Sequence, residues 1–244
     1  MVAVSNVGED RFWSGHPLAQ ANLYAFGRPA WDPELDPVAV LDEWIELTFT
    51  PSATSDPDLL RQTLHAVMDD SWRTYEQYTA PLGVGFMVRP GHHYGPDVDG
   101  YEYTPWGTYH FADRDGVGVD RTRTSGTGFS GQYPPPWSDV YESLEQCPDE
   151  LLLFFHHVPY GHVLQNGSTV IQHIYDTHFA GVERVAEMQA LWEQAAELVA
   201  PGVRARVSER LDEQLRCAEE WRDQINTYFF RKSGVPDARG RRIY

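Results

Sequence analysis

Residues 90–133 constrain the fold of this chain more than any other stretch. They read Pro90-Gly91-His92-His93-Tyr94-Gly95-Pro96, then Tyr101-Glu102-Tyr103-Thr104-Pro105-Trp106-Gly107, and close on Thr127-Gly128-Phe129-Ser130-Gly131-Gln132-Tyr133. Proline fixes φ and removes a backbone donor, and glycine weakens any regular element, so neither a helix nor a central strand can run through them. Unstructured loops longer than about 12–15 residues are uncommon in compact domains, and those that exist are mostly functional or disordered. Disordered segments are poor in aromatic residues, whereas this one is loaded with Tyr, Trp, His, Asp and Arg. The sequence therefore predicts an ordered, packed loop that presents polar and aromatic groups to a ligand or a partner.

On both sides of the loop the pattern is helical, so the predicted fold class is mainly α. Residues 17–26 read as a short helix stopped by Gly27, and Asp36-Pro37 supplies an N-cap and a first-turn proline for the next one. That second helix sends Val40, Leu41, Trp44, Ile45 and Leu47 toward a core. One long helix is expected over 58–78, with Leu60, Leu64, Val67, Met68, Trp72 and Tyr75 on one face. After the loop, 137–147 and 149–157 read as two helices separated by Pro148. Two long helices follow, over about 168–199 and 203–231, with apolar residues at spacings near 3.6. The turn Ala200-Pro201-Gly202 between them predicts an antiparallel hairpin, and Gly234 with Pro236 predicts the final stop.

The N-terminus differs. Val2-Ala3-Val4 followed by Asn6-Val7-Gly8-Glu9-Asp10 reads as a strand end running into a polar loop, and one strand without a partner is not stable. The protein is expected to continue upstream.

Bulk composition excludes some classes of function. A net charge of −17, with 36 acidic against 19 basic residues, repels polyanions, so nucleic acid is excluded as a partner. No apolar run approaches the ~18–20 residues that span a bilayer, so no membrane partner is expected. The first residues lack the regions of a secretion signal. For a chain that starts partway through a larger protein, a cytoplasmic and an extracellular location both stay open. Cys147 and Cys217 are too few for a disulfide framework and read as buried thiols, with a single bridge left open.

Eight of the ten histidines lie between His92 and His178, but their spacing suits a metal poorly. No pair stands at i and i+4, and His173 and His178, five apart, point in different directions around a helix. They read instead as hydrogen-bonded residues of a polar layer, and no metal or other cofactor is expected. The acids Asp97, Asp99, Glu102, Asp113, Asp115 and Asp120 read as turn formers rather than as a catalytic pair. Gly83-Val84-Gly85 and Gly116-Val117-Gly118 lack the third glycine of a nucleotide loop, and no G-x-S-x-G elbow occurs. Trp106, fixed behind Pro105, is either a ring for stacking on the apolar face of a sugar or a plug beneath the loop.

Several long segments carry a family resemblance. They are Ala19-Gln20-Ala21-Asn22-Leu23-Tyr24-Ala25-Phe26-Gly27-Arg28, residues 90–110, residues 147–159, Val170-Ile171-Gln172-His173-Ile174-Tyr175-Asp176-Thr177-His178-Phe179, and residues 226–244. Through them the chain resembles the C-terminal domain of the xylan α-1,2-glucuronidases, glycoside hydrolase family 67. The resemblance implies a β-sandwich, then a (β/α)8 barrel with the catalytic carboxylates, then this helical domain. Residues 1–27 would be the end of the barrel, with the remnant of its last strand, and 28–244 the helical domain. The implied reaction is removal of (4-O-methyl)glucuronic acid from xylo-oligosaccharides with inversion and without a metal, and this chain itself would hold no catalytic residue. The implied partners are a glucuronic-acid-substituted xylo-oligosaccharide, the catalytic barrel and a second copy in a homodimer. Trp106 matches the tryptophan that this domain adds to the substrate pocket. His92, His93, Tyr103 and Arg121 from the same loop, with Asn6 and Trp13 from the barrel end, are further substrate-binding candidates. The alternative is a non-catalytic module for dimerisation or sugar binding.

Overall fold

A computed structural model describes Glu9, Phe12 and residues 15–49, 56–84, 95–98 and 111–243. Eight helices carry the described chain: α1 (Pro17–Trp31), α2 (Pro37–Thr48), α3 (Pro57–Met68), α4 (Ser71–Thr79), α5 (Trp137–Glu142), α6 (Asp149–Phe155), α7 (Val170–Ala195) and α8 (Pro201–Ser233). Among the described residues, β-pairing is confined to isolated bridges such as Ala112 with Val117 and Val117 with Val158. The fold is mainly helical, as its periodicity predicts. The expected strand at 2–4 and most of the first half of the loop lie outside the described residues. No described helix is long and apolar enough to cross a membrane.

The chain divides into two compact units, one from Met1–Trp72 and Arg184–Leu215, the other from Arg73–Glu183 and Arg216–Tyr244. The core of the first is a cluster of Leu18, Ala21, Trp44, Ile45, Leu60, Leu64, Trp192, Val207 and Leu211 with neighbouring alanines. The helices are started by local chemistry. Asp36 accepts from Val38 N at 3.2 Å and Asp56 from Leu59 N at 2.9 Å, each before a first-turn proline. In this unit α7 and α8 run antiparallel, held by Gln189 Nε2 donating to Asp212 at 2.8 Å and Trp192 Nε1 donating to Ser208 Oγ at 3.0 Å. The hairpin expected from the sequence is present here.

Four expectations need correction. The first helix does not stop at Gly27 but continues to Trp31, with Pro29 inside it. An isolated helical glycine costs only about 1 kcal/mol against alanine, and Arg28 anchors this turn to Glu43 of α2 at 3.0 Å. The helix expected over 58–78 breaks at Asp69 and Asp70 into α3 and α4. Arg184 satisfies the break from far along the chain: it donates to Ala66 O at 2.6 Å and to Asp70 at 3.0 Å, while Ser71 Oγ caps Met68 O at 2.8 Å. The break resets the helical phase, so Trp72 and Tyr75 emerge 65% and 47% exposed instead of joining the core. Leu47 of α2 is likewise exposed. Finally, α5 ends at Glu142 rather than at Cys147, because the Ser143 hydroxyl captures Gln146 N at 3.2 Å in a local turn.

The second unit buries Val117, Leu152, Leu153, Phe155, Val170, Ile171, Ile174, Trp221, Ile225 and Phe229. Gly181 lets α7 approach α4 closely, since a Cβ there would sit 2.8 Å from Tyr78 N. Gly234, at φ 69°, ends α8 as expected, with its N–H on Phe230 O at 2.8 Å. Beyond it the chain turns back onto α7. Gln172 Nε2 donates to Asp237 at 2.7 Å, and Gln172 Oε1 accepts from Ala238 N at 2.8 Å. Arg241 grips Asp237 through Nε at 2.9 Å and Nη2 at 2.8 Å, reaches Asp176, and lies 4.2 Å above the Phe179 ring. Those hydrogen bonds hold the Asp237 carboxyl well below the usual carboxylate range. Both cysteines are free thiols. Cys147 is buried, which pushes its pKa up to about 11.

Leu64 is fully buried in the first core. Leu64→Ala is expected to destabilise the protein by about 2–5 kcal/mol, read from the shift of the chain's urea unfolding curve.

Candidate functional site

The second half of the long loop, 111–133, is ordered against α5 and α6 in the second unit. It has no sheet to satisfy its backbone, so bonds to other segments do so. Val117 N and O pair with Val158 O and N at 2.9 Å, Val119 N reaches Leu153 O at 3.0 Å, and Arg121 N reaches Phe155 O at 2.9 Å. Close approach dictates the glycines. A Cβ on Gly116 would lie 2.2 Å from Val158 O, and one on Gly118, at φ 103°, would lie 2.0 Å from His156 O. This Gly-x-Gly pair is therefore a docking feature and not a phosphate cradle.

Three carboxylates hold the turns. Asp113 Oδ1 accepts from Asp115 N at 2.8 Å and Gly116 N at 2.9 Å. Asp120 accepts from Thr122 N at 3.0 Å, Thr122 Oγ1 at 2.7 Å and Ser125 Oγ at 2.8 Å. Glu142, at the end of α5, gathers Arg123 N at 2.8 Å and Ser130 Oγ at 2.6 Å on one oxygen, with Thr124 N at 3.1 Å and Thr124 Oγ1 at 2.6 Å on the other. Desolvation pushes the Glu142 pKa up, but these donors outweigh it and hold the pKa at about 2. A carboxylate that shuttles protons in glycoside cleavage needs a lone pair aimed at substrate. Here the lone pairs of Asp113, Asp120 and Glu142 are turned on the loop itself. The turn-former reading of Asp113 and Asp120 fits this geometry, while nothing in the sequence marks Glu142 beyond its place in the helix expected over 137–147.

Aromatic rings form the floor beneath. Tyr141 stacks on Phe155 at 4.5 Å, and Tyr133, Phe129 and Phe154 pack around them edge-on. Arg121 lies 4.2 Å over the Phe154 ring, donates to Phe154 O, and has its pKa lowered by burial. It is the candidate site residue that the structure places. Trp106, His92, His93, Tyr103, Asn6 and Trp13 lie outside the described residues.

Two histidines, His156 and His157, are engaged in the layer around this loop, while His178 bonds within its own helix and leaves Nε2 buried without a hydrogen bond among the described residues. His156 Nε2 bonds Tyr141 O at 2.9 Å, His157 Nδ1 bonds Gly118 O at 2.8 Å, and the buried His178 Nδ1 bonds Ile174 O at 2.6 Å. Burial lowers the His178 pKa to about 4, so its ring is neutral at pH 7. Among the described residues, no three His, Cys, Asp or Glu side chains cluster as metal ligands do.

The concave features of the described surface include one in each unit. In the first unit, Phe12, Pro17, Phe49, Leu198, Val199 and Pro201 help line a cavity of about 510 Å³. In the second, Val98, Asp223, Gln224, Thr227, Tyr228 and Arg231 line a groove of about 430 Å³. The sequence places these last five on a long helix without marking them. Their signal is the i, i+4, i+8 register of Asp223, Thr227 and Arg231, which puts a carboxylate, a hydroxyl and a guanidinium on one face.

Across residues 14–242 the chain matches the family described as Glycosyl hydrolase family 67 C-terminus. It is 41% identical over 240 residues to "Probable alpha-glucuronidase A" of Aspergillus terreus. It is 41% identical over 243 residues to "Alpha-glucuronidase A" of Aspergillus tubingensis, and 40% over 240 residues to that of Emericella nidulans. Each alignment covers 98% of this chain and 28% of the relative, so the chain spans little more than a quarter of the length of the curated relatives it matches.

Two substitutions test the loop. Gly118→Ala is expected to undock it, at about 1–3 kcal/mol for the left-handed backbone alone, seen as faster amide exchange at Val117, Val119 and Arg121. Glu142 has a folded pKa below its unfolded value, so its stabilisation is complete above about pH 4.5 and is lost as pH falls toward 2. Glu142→Gln is therefore expected to lower the melting temperature at pH 7 and to flatten its decline between pH 4.5 and 2.

Proposed function

Because the chain belongs to the family of glycosyl hydrolase family 67 C-terminal domains, we propose that it serves as the C-terminal part of an α-glucuronidase. That enzyme removes (4-O-methyl)glucuronic acid from xylo-oligosaccharides during xylan breakdown. The observation that carries the reading is the match over residues 14–242, at 41% identity to full α-glucuronidase chains. In this proposal the catalytic carboxylates come from the part of the enzyme that the match does not span. An inverting hydrolase needs an acid and a base about 6.5–9.5 Å apart on opposite faces of the sugar. The engagement of Asp113, Asp120 and Glu142 by loop donors supports a supporting role for this segment.

Its contribution is to complete the substrate pocket. Trp106 gives a flat ring for the apolar face of the sugar, while His92, His93, Tyr103, Arg121, Asn6 and Trp13 supply polar contacts around it. The isolated chain is then inactive. Release of 4-O-methylglucuronate from aldouronic acids is to be measured for this chain alone and joined to the remaining part of an α-glucuronidase. No product is expected from the chain alone and steady release from the joined protein. Robust turnover by the isolated chain would overturn the reading.

A second reading, a non-catalytic dimerisation module, draws on the large apolar side chains that the first unit leaves at its surface, Trp31 at 89% and Leu47 at 70% exposure. Sedimentation decides it, because a chain that stays monomeric at all concentrations removes its basis.

A further inference from the structure

We propose that the groove of the second unit binds the acid end of a uronic sugar, with Arg231 holding its carboxylate. The identity of the acid rests on the α-glucuronidase reading, and the groove itself rests on geometry.

A space of about 430 Å³ suits a sugar unit with its ordered water and falls within the ~300–1,000 Å³ of small-molecule sites. Its lining mixes apolar surface with a few polar groups. Val98 and the Tyr228 ring offer the apolar part, while the Gln224 amide, whose Nε2 also donates to Glu220 Oε1 at 3.1 Å, and the Thr227 hydroxyl add polar lining.

The charge balance selects an acid over a neutral sugar. Of the two charged residues that line the groove among the described residues, Asp223 is already met by Arg222 Nε at 2.7 Å. Arg231 makes no hydrogen bond, ion pair or ring contact among the described residues. Other arginines of the same unit are committed: Arg216 to Glu220, Arg239 to Asp176, and Arg241 to Asp237. In a chain of net charge −17 an unspent guanidinium at a groove stands out. Its planar fork matches a carboxylate with two parallel hydrogen bonds. The negative end of the α8 dipole opposes an anion here only weakly, and Lys232, with Nζ 5.2 Å from the Tyr228 ring centroid, adds a second positive charge at the same end.

The test is a titration followed by backbone amide shifts, using the whole chain with sodium D-glucuronate, D-glucose and poly-L-glutamate as separate probes. Glucuronate is expected to shift the amides of 223–231 and to bind at least about tenfold more tightly than glucose, the worth of one charge-assisted pair. Arg231→Gln should lose about tenfold in glucuronate affinity at an unchanged melting temperature, since Arg231 holds nothing in the fold. Thr227→Val should weaken glucuronate and glucose alike. The proposal fails if glucuronate leaves 223–231 unmoved, or if Arg231→Gln binds it as well as the parent chain does. It also fails if poly-L-glutamate shifts the same amides as strongly, which would make the groove a docking place for acidic protein. None of these failures touches the hydrolase reading, which product release decides separately.

Discussion

A loop that lies against a core without forming a sheet must find partners for its polar groups, and residues 111–133 depend on meeting that demand. Carboxylates meet it. Asp113 and Asp120 close their own turns, and Glu142 draws five donors from Arg123, Thr124 and Ser130 onto one side chain. Because the carboxylate is ionised, each of these bonds is stronger than one between neutral partners. The glycines at 116 and 118 then bring the backbone within bonding distance of residues 153–158, and the aromatic floor of Tyr141 and Phe155 fills the space beneath.

That arrangement separates holding from binding within this stretch. Groups with chemical potential in the sequence, such as the acids and His156 and His157, are spent on keeping the loop in place. In the described half of the loop, the guanidinium of Arg121 is likewise engaged with Phe154. Among the described residues of the same unit, an unspent charge sits on α8 at Arg231. A scaffold that satisfies itself so fully is well suited to present other residues rigidly, because little of it needs to reorganise when a ligand arrives.

Local signals made much of the helical framework legible. Asp36-Pro37 announced α2, the 3.6-residue apolar period announced α7 and α8, and Gly234 announced the end of α8. What stayed hidden was written far away in the chain. The break between α3 and α4 is satisfied by Arg184, more than a hundred residues later, bonding Ala66 O and Asp70. Gly27 failed as a stop because Arg28 pairs with Glu43 on the next helix. The site was legible in a different way. Long family segments named the loop, while the role of Glu142 depends on turns that bring Arg123, Thr124 and Ser130 to it from 12 to 19 residues away. The register of Asp223, Thr227 and Arg231 was readable on paper, but that Arg222 neutralises Asp223 and leaves Arg231 open was not.

The clasp on α7 also sets an order of events during synthesis. Asp176 leaves the ribosome well before Arg241, its counter-charge 65 positions on, exists as a residue. Gln172 waits as long for Asp237 and Ala238. The start of α7 therefore spends most of that interval with its acids unanswered. This clasp on the second unit cannot form until residues 237–241 have emerged, whereas the segments of the first unit are complete by residue 215.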